Sequence, residues 1–334
     1  MRRHHVPHAF QVVLVGGIAL LGCLGCSESS SPEVQSVDAG SDASVGAFDP
    51  TRPCGYDTSV GGFKFAMNGA EGFSGFQGRV FSGPGALGFF ETRMQAEGCR
   101  VLVKSNPFCA TPCTGEQQCS VDGKCVAIPR QQDVGTVRVA GLATDLMVNP
   151  GMSNFYNYAG DLPFPLAAAG TTLSLSVQGA GAITGFALSV RGIALLEGTS
   201  SDPIPAGSTR GLDLVWTAPG DMAAASRMRI FVNVDNHGSS SARVECDVSD
   251  SGKFTVPQSV MGRLLALGAT GFPTVTLMRS SASATRMEVG CVDFSVESSR
   301  TQLLNVDGVL SCHEDMECPE GQQCVTPAQI CKPK

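Results

Sequence analysis

The stretch MRIFVNV at positions 228–234 decides the fold class of this chain. Apolar residues stand at every second position of it, which is the period of a β-strand with one buried face. Strand-like runs recur along the chain at 61–67, 76–81, 98–103, 135–139, 172–177, 212–216, 243–246 and 289–296. Gly, Pro, Asn and Asp cluster between several of them, as turns require. We therefore predict an all-β protein, an antiparallel β-sandwich of the Ig-like or jelly-roll type.

Composition agrees with this fold class. The 334 residues are 43% hydrophobic and only 16% charged, and they include 40 Gly. Low charge and many glycines suit short strands joined by tight turns. The formal net charge of −7 repels phosphate backbones, so nucleic acid is not expected as a partner.

The N-terminal segment has the parts of a secretory signal. Arg2 and Arg3 precede an uncharged, mostly apolar run over 9–22, which is too short for a permanent membrane span. The run ends in LLGC at 20–23, which resembles the lipobox of bacterial lipoproteins. That resemblance implies a signal peptide over 1–22 and a lipid on Cys23, by which the protein contacts the membrane.

Cys26 is the alternative lipid site, because its use would leave an even number of 12 cysteines to pair. Leu24 or Ser27 follows the candidate cysteine, and neither is the Asp that resembles an inner-membrane retention signal. We therefore expect an extracytoplasmic protein anchored to the outer membrane, either periplasmic or surface-exposed.

Composition shifts divide the rest of the chain. A Ser- and Asp-rich linker, which cannot bury enough apolar surface to fold, leads into structured sequence. The predicted segments are a linker at 23–50, a small β unit at 51–105, a Cys-rich module at 106–130, the β-sandwich at 131–300 and a second Cys-rich module at 301–334.

The cysteines after the signal are predicted to form six disulfides, because an exported chain meets an oxidising compartment. Two four-Cys modules share the same inner spacer of five residues between their second and third cysteines; their members are Cys109, Cys113, Cys119, Cys125, Cys312, Cys318, Cys324 and Cys331. Each module allows three pairings. The working choice is 109–119 with 113–125, and 312–324 with 318–331. We further expect Cys54 to pair with Cys99 and Cys246 with Cys291. Zinc is the alternative for the modules, but the spacing and the compartment disfavour it.

Two shorter segments carry local predictions. A helix is expected over 257–267, with Val260, Leu264 and Leu267 on one face. The segment 247–252 is predicted to be a hairpin turn. A calcium loop is disfavoured there because Gln258 stands where a bidentate Glu is needed.

Several segments together resemble a group of myxobacterial cell-envelope lipoproteins. They lie at 107–109, 125–129, 134–137, 216–220 and 245–257. The likeness covers most of residues 54–300. It implies architecture and location and no particular activity.

The inventory of reactive side chains disfavours catalysis. After the signal, the histidines are His237, in a predicted turn, and His313, inside a Cys module. A serine or cysteine nucleophile needs an imidazole fixed beside it, and no such arrangement is indicated. No cofactor or metal site is predicted. Carboxylate chemistry of the glycosidase kind is set by the fold, so a secreted hydrolase stays as an alternative.

The expected function is that of a lipid-anchored binding or scaffold protein of the cell envelope, without catalytic activity, for a protein or glycan ligand. A surface adhesin or carbohydrate binder is the other alternative. Its candidate contact residues are Phe155, Tyr156 and Tyr158, which would stack on sugar rings if they were exposed. Burial of alternate aromatics in the sandwich is the favoured interpretation of the same residues, and Trp216 is expected in the core.

Overall fold

A computed structural model describes residue 49 and residues 51–69, 71–85, 90–105, 107–234, 242–326 and 328–334. The described part of the chain is all-β, with one α-helix. The strands are β1 (Ser59–Asn68), β2 (Phe73–Val80), β3 (Phe90–Ala96), β4 (Cys99–Lys104), β5 (Gln117–Cys119), β6 (Cys125–Ala127), β7 (Val137–Ala140), β8 (Leu146–Val148), β9 (Tyr156–Tyr158), β10 (Thr172–Ala180), β11 (Ile183–Arg191), β12 (Ile204–Ala206), β13 (Leu212–Val215), β14 (Arg227–Asn233), β15 (Ala242–Ser249), β16 (Lys253–Val256), β17 (Thr274–Met287), β18 (Gly290–Val306), β19 (Gln322–Val325) and β20 (Ile330–Pro333). The helix α1 spans Gln258–Leu265, and 3₁₀ turns lie at Met152–Asn154, Gly220–Ala225 and Asp315–Glu317.

A ten-stranded sheet organises the molecule. Its order is β3-β4-β15-β14-β17-β18-β1-β2-β9, and β12 also pairs with β18. Most pairs are antiparallel, but β1 and β12 both run parallel to β18, so the sheet is mixed. A four-stranded sheet, β11-β10-β7-β8, and the pair β13-β16 complete the body.

The large sheet is covered on one face by two separate cores. In the first, Phe63, Phe65 and Phe294 of the large sheet pack with Leu173 and Leu175 of the four-stranded sheet. The second core lies over the other half and joins strands β4, β14, β15 and β17 to β12, β13, β16 and α1. Two sandwiches therefore share one continuous sheet.

A buried ion pair lies on this covered face. Arg279 of β17 and Asp250 are both almost fully buried, and the guanidinium Nε donates to the carboxylate at 2.6 Å. Trp216 and Ser226 each donate a further hydrogen bond to Asp250 at 2.7 Å. Arg279 also donates to the carbonyls of Leu195 and Thr217, so both charges have full sets of partners.

The segment predicted as a small β unit over 51–105 does not form a sheet of its own. Its strands are present, but β1 pairs with β18 and β2 with β9, whereas β4 pairs with β15 and β3 with β4. Residues 48–334 form one compact unit. Local alternation predicts a strand, but long-range pairing decides which sheet it joins.

The six disulfides are present, and two expected pairings are wrong. Cys54 bonds to Cys291 and Cys99 bonds to Cys246. The expected partner of Cys99 was Cys54, which lies nearer in sequence. Cys99 and Cys246 instead stand opposite each other on the neighbouring strands β4 and β15.

The two Cys-rich modules have the chosen pairings: 109–119, 113–125, 312–324 and 318–331. Each ends in a two-stranded hairpin, β5-β6 in the first and β19-β20 in the second. Each module contains a group of three cysteine sulfurs that lie within 4.8 Å of one another. All of these sulfurs belong to the disulfides. Bridged sulfurs offer no thiolate to zinc.

The helix is confirmed, with a different buried face. Val260, Met261 and Leu264 are buried, whereas Leu267 lies beyond the helix and is exposed. The turn at 250–252 does not close a hairpin, because β15 belongs to the large sheet and β16 pairs with β13. The Asp250 carboxylate binds Arg279 and is not open to calcium.

Within the described part of the chain, we find no helix of the length and apolarity that a membrane crossing demands. The predicted lipid sites Cys23 and Cys26 and the predicted turn at His237 lie outside the described residues.

Candidate functional site

The face of the large sheet opposite the two cores is polar. Its side chains come from the alternate positions of the same strands that build the cores. In β14 these are Arg227, Arg229, Phe231 and Asn233, and the pairing places Glu245 and Asp247 beside them on β15. On β18 the corresponding positions are Asp293, Ser295 and Glu297, with Lys64 of β1 opposite Ser295.

A short segment crosses this polar face. We call residues 51–58 the strap. Arg52 forms an ion pair with Asp247 of β15 at 3.1 Å, and Tyr56 donates a hydrogen bond to Glu245 of the same strand. Between these contacts, Cys54 forms its disulfide with Cys291 of β18. Strands β14 and β17 lie between β15 and β18, so the strap passes over both.

Three clefts lie around the strap, and Pro53 and Arg229 line all of them. The Arg227 cleft, of about 520 Å³, includes Arg191, Arg227, Ser249 and Ser280. The Arg100 cleft, of about 330 Å³, includes Tyr56, Arg100 and Glu245. The Asp293 cleft, of about 480 Å³, includes Lys64, Arg79, Phe155, Asp293 and Glu297. Arg229 is thus the point of the sheet where the clefts meet.

The acids of this face are already engaged by the fold. Glu245 pairs with Arg100 at 3.0 Å and with Arg243 at 2.6 Å. Asp247 pairs with Arg52 and Arg227. Glu297 lies 3.7 Å from the Lys64 ammonium. The Asp293 carboxylate accepts the Cys54 backbone N–H at 2.9 Å.

Arg229 is left over from this pairing. Within the described ranges its guanidinium donates no hydrogen bond and joins no ion pair. It lies over the Phe231 ring, 5.0 Å from the ring centroid, and acts on Asp293 and Tyr56 through longer-range electrostatics. The residue is only partly buried. A guanidinium carries five N–H donors in a planar fork. Those donors have no hydrogen-bonding partner within the described ranges, and Arg229 lines all three clefts, so they are available to a ligand.

Two other groups of the face have shifted pKa values. Burial, reinforced by Glu297, raises the pKa of Asp293 to about 6, against the opposing effects of the Cys54 N–H, Arg229 and Lys64. Burial and the neighbouring Glu245 carboxylate raise the pKa of Tyr56 to about 12. Tyr56 therefore stays protonated and donates to Glu245, which fixes the strap on β15.

The aromatic residues proposed as ligand contacts occupy three different environments. Tyr156 is fully buried in the first core, and its hydroxyl accepts the Val134 N–H at 2.9 Å. Tyr158 is half-buried and packs against the same core. Phe155 alone lines a cleft, the Asp293 cleft. The structure therefore removes Tyr156 as a ligand contact. Trp216 is in the core as expected.

Among the residues that the structure describes, those relevant to catalysis are not arranged as a nucleophile system. His313 stacks on Phe272 at 4.4 Å in the C-terminal module, away from the polar face. Asp293 and Glu297 share one cleft, but four residues along a strand separate their Cα atoms by about 13 Å. Asp293 holds the strap and Glu297 holds Lys64, so each carboxylate has a structural partner.

Sequence reasoning missed Arg229 and the strap. The alternation in 228–234 does place Arg229 on the face away from the core, so the direction of its side chain could have been predicted. Its neighbours come from segments as distant as Pro53, 176 positions earlier in the chain, and short-range patterns carry no information on them.

Comparison with known proteins gives no family. The chain matches no protein-family model and none of the curated proteins. Among solved structures it is similar to a tetra-tandem repeat from the extending region of a large adhesion protein, with 12% identity over 75% of this chain and 76% of that chain and a TM-score of 0.19. A Ca²⁺-stabilized adhesin that helps an Antarctic bacterium bind ice gives 11% identity over 76% of this chain and a TM-score of 0.17.

A third similar structure, the FN1-FN3 domains of chicken CNTN1, gives 9% identity over 69% of this chain and 71% of that chain, with a TM-score of 0.19. The chain spans about half, 51%, of the ice-binding adhesin chain. TM-scores this low do not describe a shared arrangement of the whole chain, and we transfer no function from these proteins.

Proposed function

We propose that this protein is a non-catalytic binding protein of the cell envelope that holds its ligand in the clefts around Arg229. The observation that carries the proposal is the unused guanidinium of Arg229 at the junction of three clefts. A fold that pairs the acids of this face with other donors, and leaves the central Arg229 guanidinium without a hydrogen-bonding partner, provides a ready contact for a ligand.

Location outside the cytoplasm is part of the proposal. Six disulfides are typical of proteins from an oxidising compartment. The LLGC stretch at 20–23 supports a lipid on Cys23, with Cys26 as the alternative. Two or three acyl chains would hold the protein stably on the outer membrane.

Binding is tested with the full disulfide-bonded chain on an array of purified bacterial polysaccharides, peptidoglycan fragments and short peptides. We expect at least one of these polymers to be retained, and Arg229→Ala to lower its affinity at least tenfold. Arg300→Ala is the matched control, because Arg300 is an exposed arginine that lines a separate cleft. Retention of none of these polymers, or equal retention by Arg229→Ala, would contradict the proposal.

The anchor has its own test, the intact mass of membrane-extracted protein before and after reduction. We expect a chain that begins at Cys23 or Cys26 with added acyl mass, and a gain of about 12 Da on reduction of six bridges. An unlipidated N-terminus would show that the protein is secreted in free form.

The hydrolase alternative is checked on the same polysaccharides. Asp293 and Glu297 share a cleft, so release of reducing ends that disappears in Asp293→Asn and Glu297→Gln would favour catalysis over binding. We expect no such release, because both carboxylates already have structural partners.

A further inference from the structure

The charge of the clefts departs from the charge of the chain. Four acidic side chains line the three clefts together, Glu245, Asp247, Asp293 and Glu297. Seven basic side chains line them, namely Arg52, Lys64, Arg79, Arg100, Arg191, Arg227 and Arg229. Basic groups thus exceed acidic ones by three in a chain whose formal net charge is −7. This concentration of positive charge attracts an anion to the face on which the Arg229 guanidinium is open.

The lining also presents many hydroxyl groups. The Arg227 cleft is lined by seven serine and threonine residues: Thr51, Thr172, Ser189, Ser226, Ser249, Ser280 and Ser281. Its apolar lining is limited to small or short side chains such as Pro53, Val190 and Ala223. Peptide ligands are usually held through pockets for large apolar side chains or by a sheet edge. A hydroxyl-rich cleft on a sheet face instead matches a ligand that is itself covered with hydroxyl groups.

The shape of the site favours an extended ligand. The three clefts adjoin at Arg229 and together extend from Arg191 at one side to Arg79 at the other. A small inorganic anion would occupy the guanidinium fork and leave the rest of the clefts unused. A chain of sugar units could place one charged unit at Arg229 and neighbouring units in the adjoining clefts.

We infer that the ligand is an acidic polysaccharide, bound through a carboxylate that the Arg229 guanidinium holds in two hydrogen bonds. The inference rests on the proposed binding function and names the ligand class of the same clefts. Phe231 supports the guanidinium from one side, since the cation lies over its ring, and this leaves the fork directed at the ligand. Bidentate pairing with a carboxylate is the geometry that a guanidinium favours.

The test uses the full chain and three soluble polymers, measured by titration calorimetry at low salt. Polygalacturonate supplies carboxylates on a sugar chain, dextran supplies an uncharged sugar chain, and polyglutamate supplies carboxylates on a peptide. We expect binding to polygalacturonate at least tenfold tighter than to either other polymer. Raising the salt concentration several-fold should weaken it, because screening shortens the reach of the exposed charges.

Variants then locate the contact. Arg229→Ala should lower the polygalacturonate affinity at least tenfold, and Arg229→Lys should restore part of it, because the ammonium keeps the charge but not the fork. Arg300→Ala should bind as the wild type does. The melting temperature of each variant shows whether it is folded.

Each contrary result has a distinct meaning. Equal binding of dextran and polygalacturonate would overturn the acidic ligand while leaving the binding function in place. Preference for polyglutamate would assign the clefts to an acidic peptide and overturn the polysaccharide. Failure to bind any of these polymers or any member of the wider array would overturn the binding function itself.

Discussion

Two arginines from neighbouring strands, Arg279 of β17 and Arg229 of β14, point to opposite faces of the large sheet. Arg279 lies on the covered face, is 1% exposed and donates to the Asp250 carboxylate and to backbone carbonyls. Arg229 lies on the polar face, is partly exposed and has no polar partner in the ranges that the structure describes. In the pairing of β14 with β17, Arg279 stands opposite Met228, and Arg229 stands opposite Met278.

The difference separates what holds the fold from what remains for a ligand. A buried charge must be fully paired, so Arg279 and its partners tie the loop at 194–195 to the sheet. A half-exposed charge can be solvated by water and needs no protein partner. The same residue type therefore serves the scaffold on one face and is available for binding on the other.

The largest effect is expected on the covered face. Arg279→Met should destabilise the protein by about 3–5 kcal/mol, because the Asp250 carboxylate would remain buried without its countercharge. Chemical denaturation of the disulfide-bonded chain measures the loss. Replacing both residues, in Arg279→Met with Asp250→Leu, should recover part of it. A loss below about 1 kcal/mol for the single variant would show that the pair does not hold the fold.

Two acids differ in the same way. Asp250 has the Arg279 guanidinium as a close countercharge, whereas Asp293 is partly buried without a countercharge that close. Its pKa of about 6 lies above the value of 3.8 in an unfolded chain, so the folded state binds the extra proton between these values. The protein should therefore lose stability as pH rises from about 4 to 6. Asp293→Asn should be more stable than wild type at pH 8, by at most about 3 kcal/mol.

At pH 3.5 the carboxyl group is protonated in the folded state and, with a pKa of 3.8, about two-thirds protonated in the unfolded chain, so the same variant should nearly match the wild type there. Thermal unfolding at the two pH values checks this expectation. An equal gain at both pH values would mean that packing and not titration explains the effect.

The smallest effect on stability is expected at Arg229. Arg229→Met should change the free energy of unfolding by less than about 1 kcal/mol, since the contact with the Phe231 ring and a longer-range attraction to Asp293 are lost, but no hydrogen bond. Chemical denaturation of this variant in parallel with Arg279→Met measures the difference between the two. A loss of several kcal/mol would place Arg229 in the scaffold and end the distinction between the two faces.

Much of the fold could be predicted from local sequence. Strict alternation at 228–234 and 172–177 predicts strands that are present. The 14-residue strand β17 was missed because its middle, SSASAT at 280–285, has few large apolar residues. The pairing of Cys54 with Cys291 was also missed, since the separation of 237 residues is invisible to spacing.

The site was less predictable than the fold. Tyr156 looked like a ligand contact because of its residue type, and only the packing of two sheets shows that it is buried. For Arg229, the strand pattern predicts the outward direction but not whether an acid meets it. That depends on which of the nearby acids other cations have already taken, and those cations come from distant segments.

The Cys54–Cys291 disulfide also sets how the molecule would carry mechanical load. A pull between the chain before Asp49 and the C-terminus reaches Cys54 and passes through the sulfur bridge into β18. The residues between the two cysteines, Arg229 among them, then lie in a covalently closed loop outside the path of the force. A protein tethered at its N-terminal side could thus be stretched while most of its sheet, and the clefts on it, bear no tension.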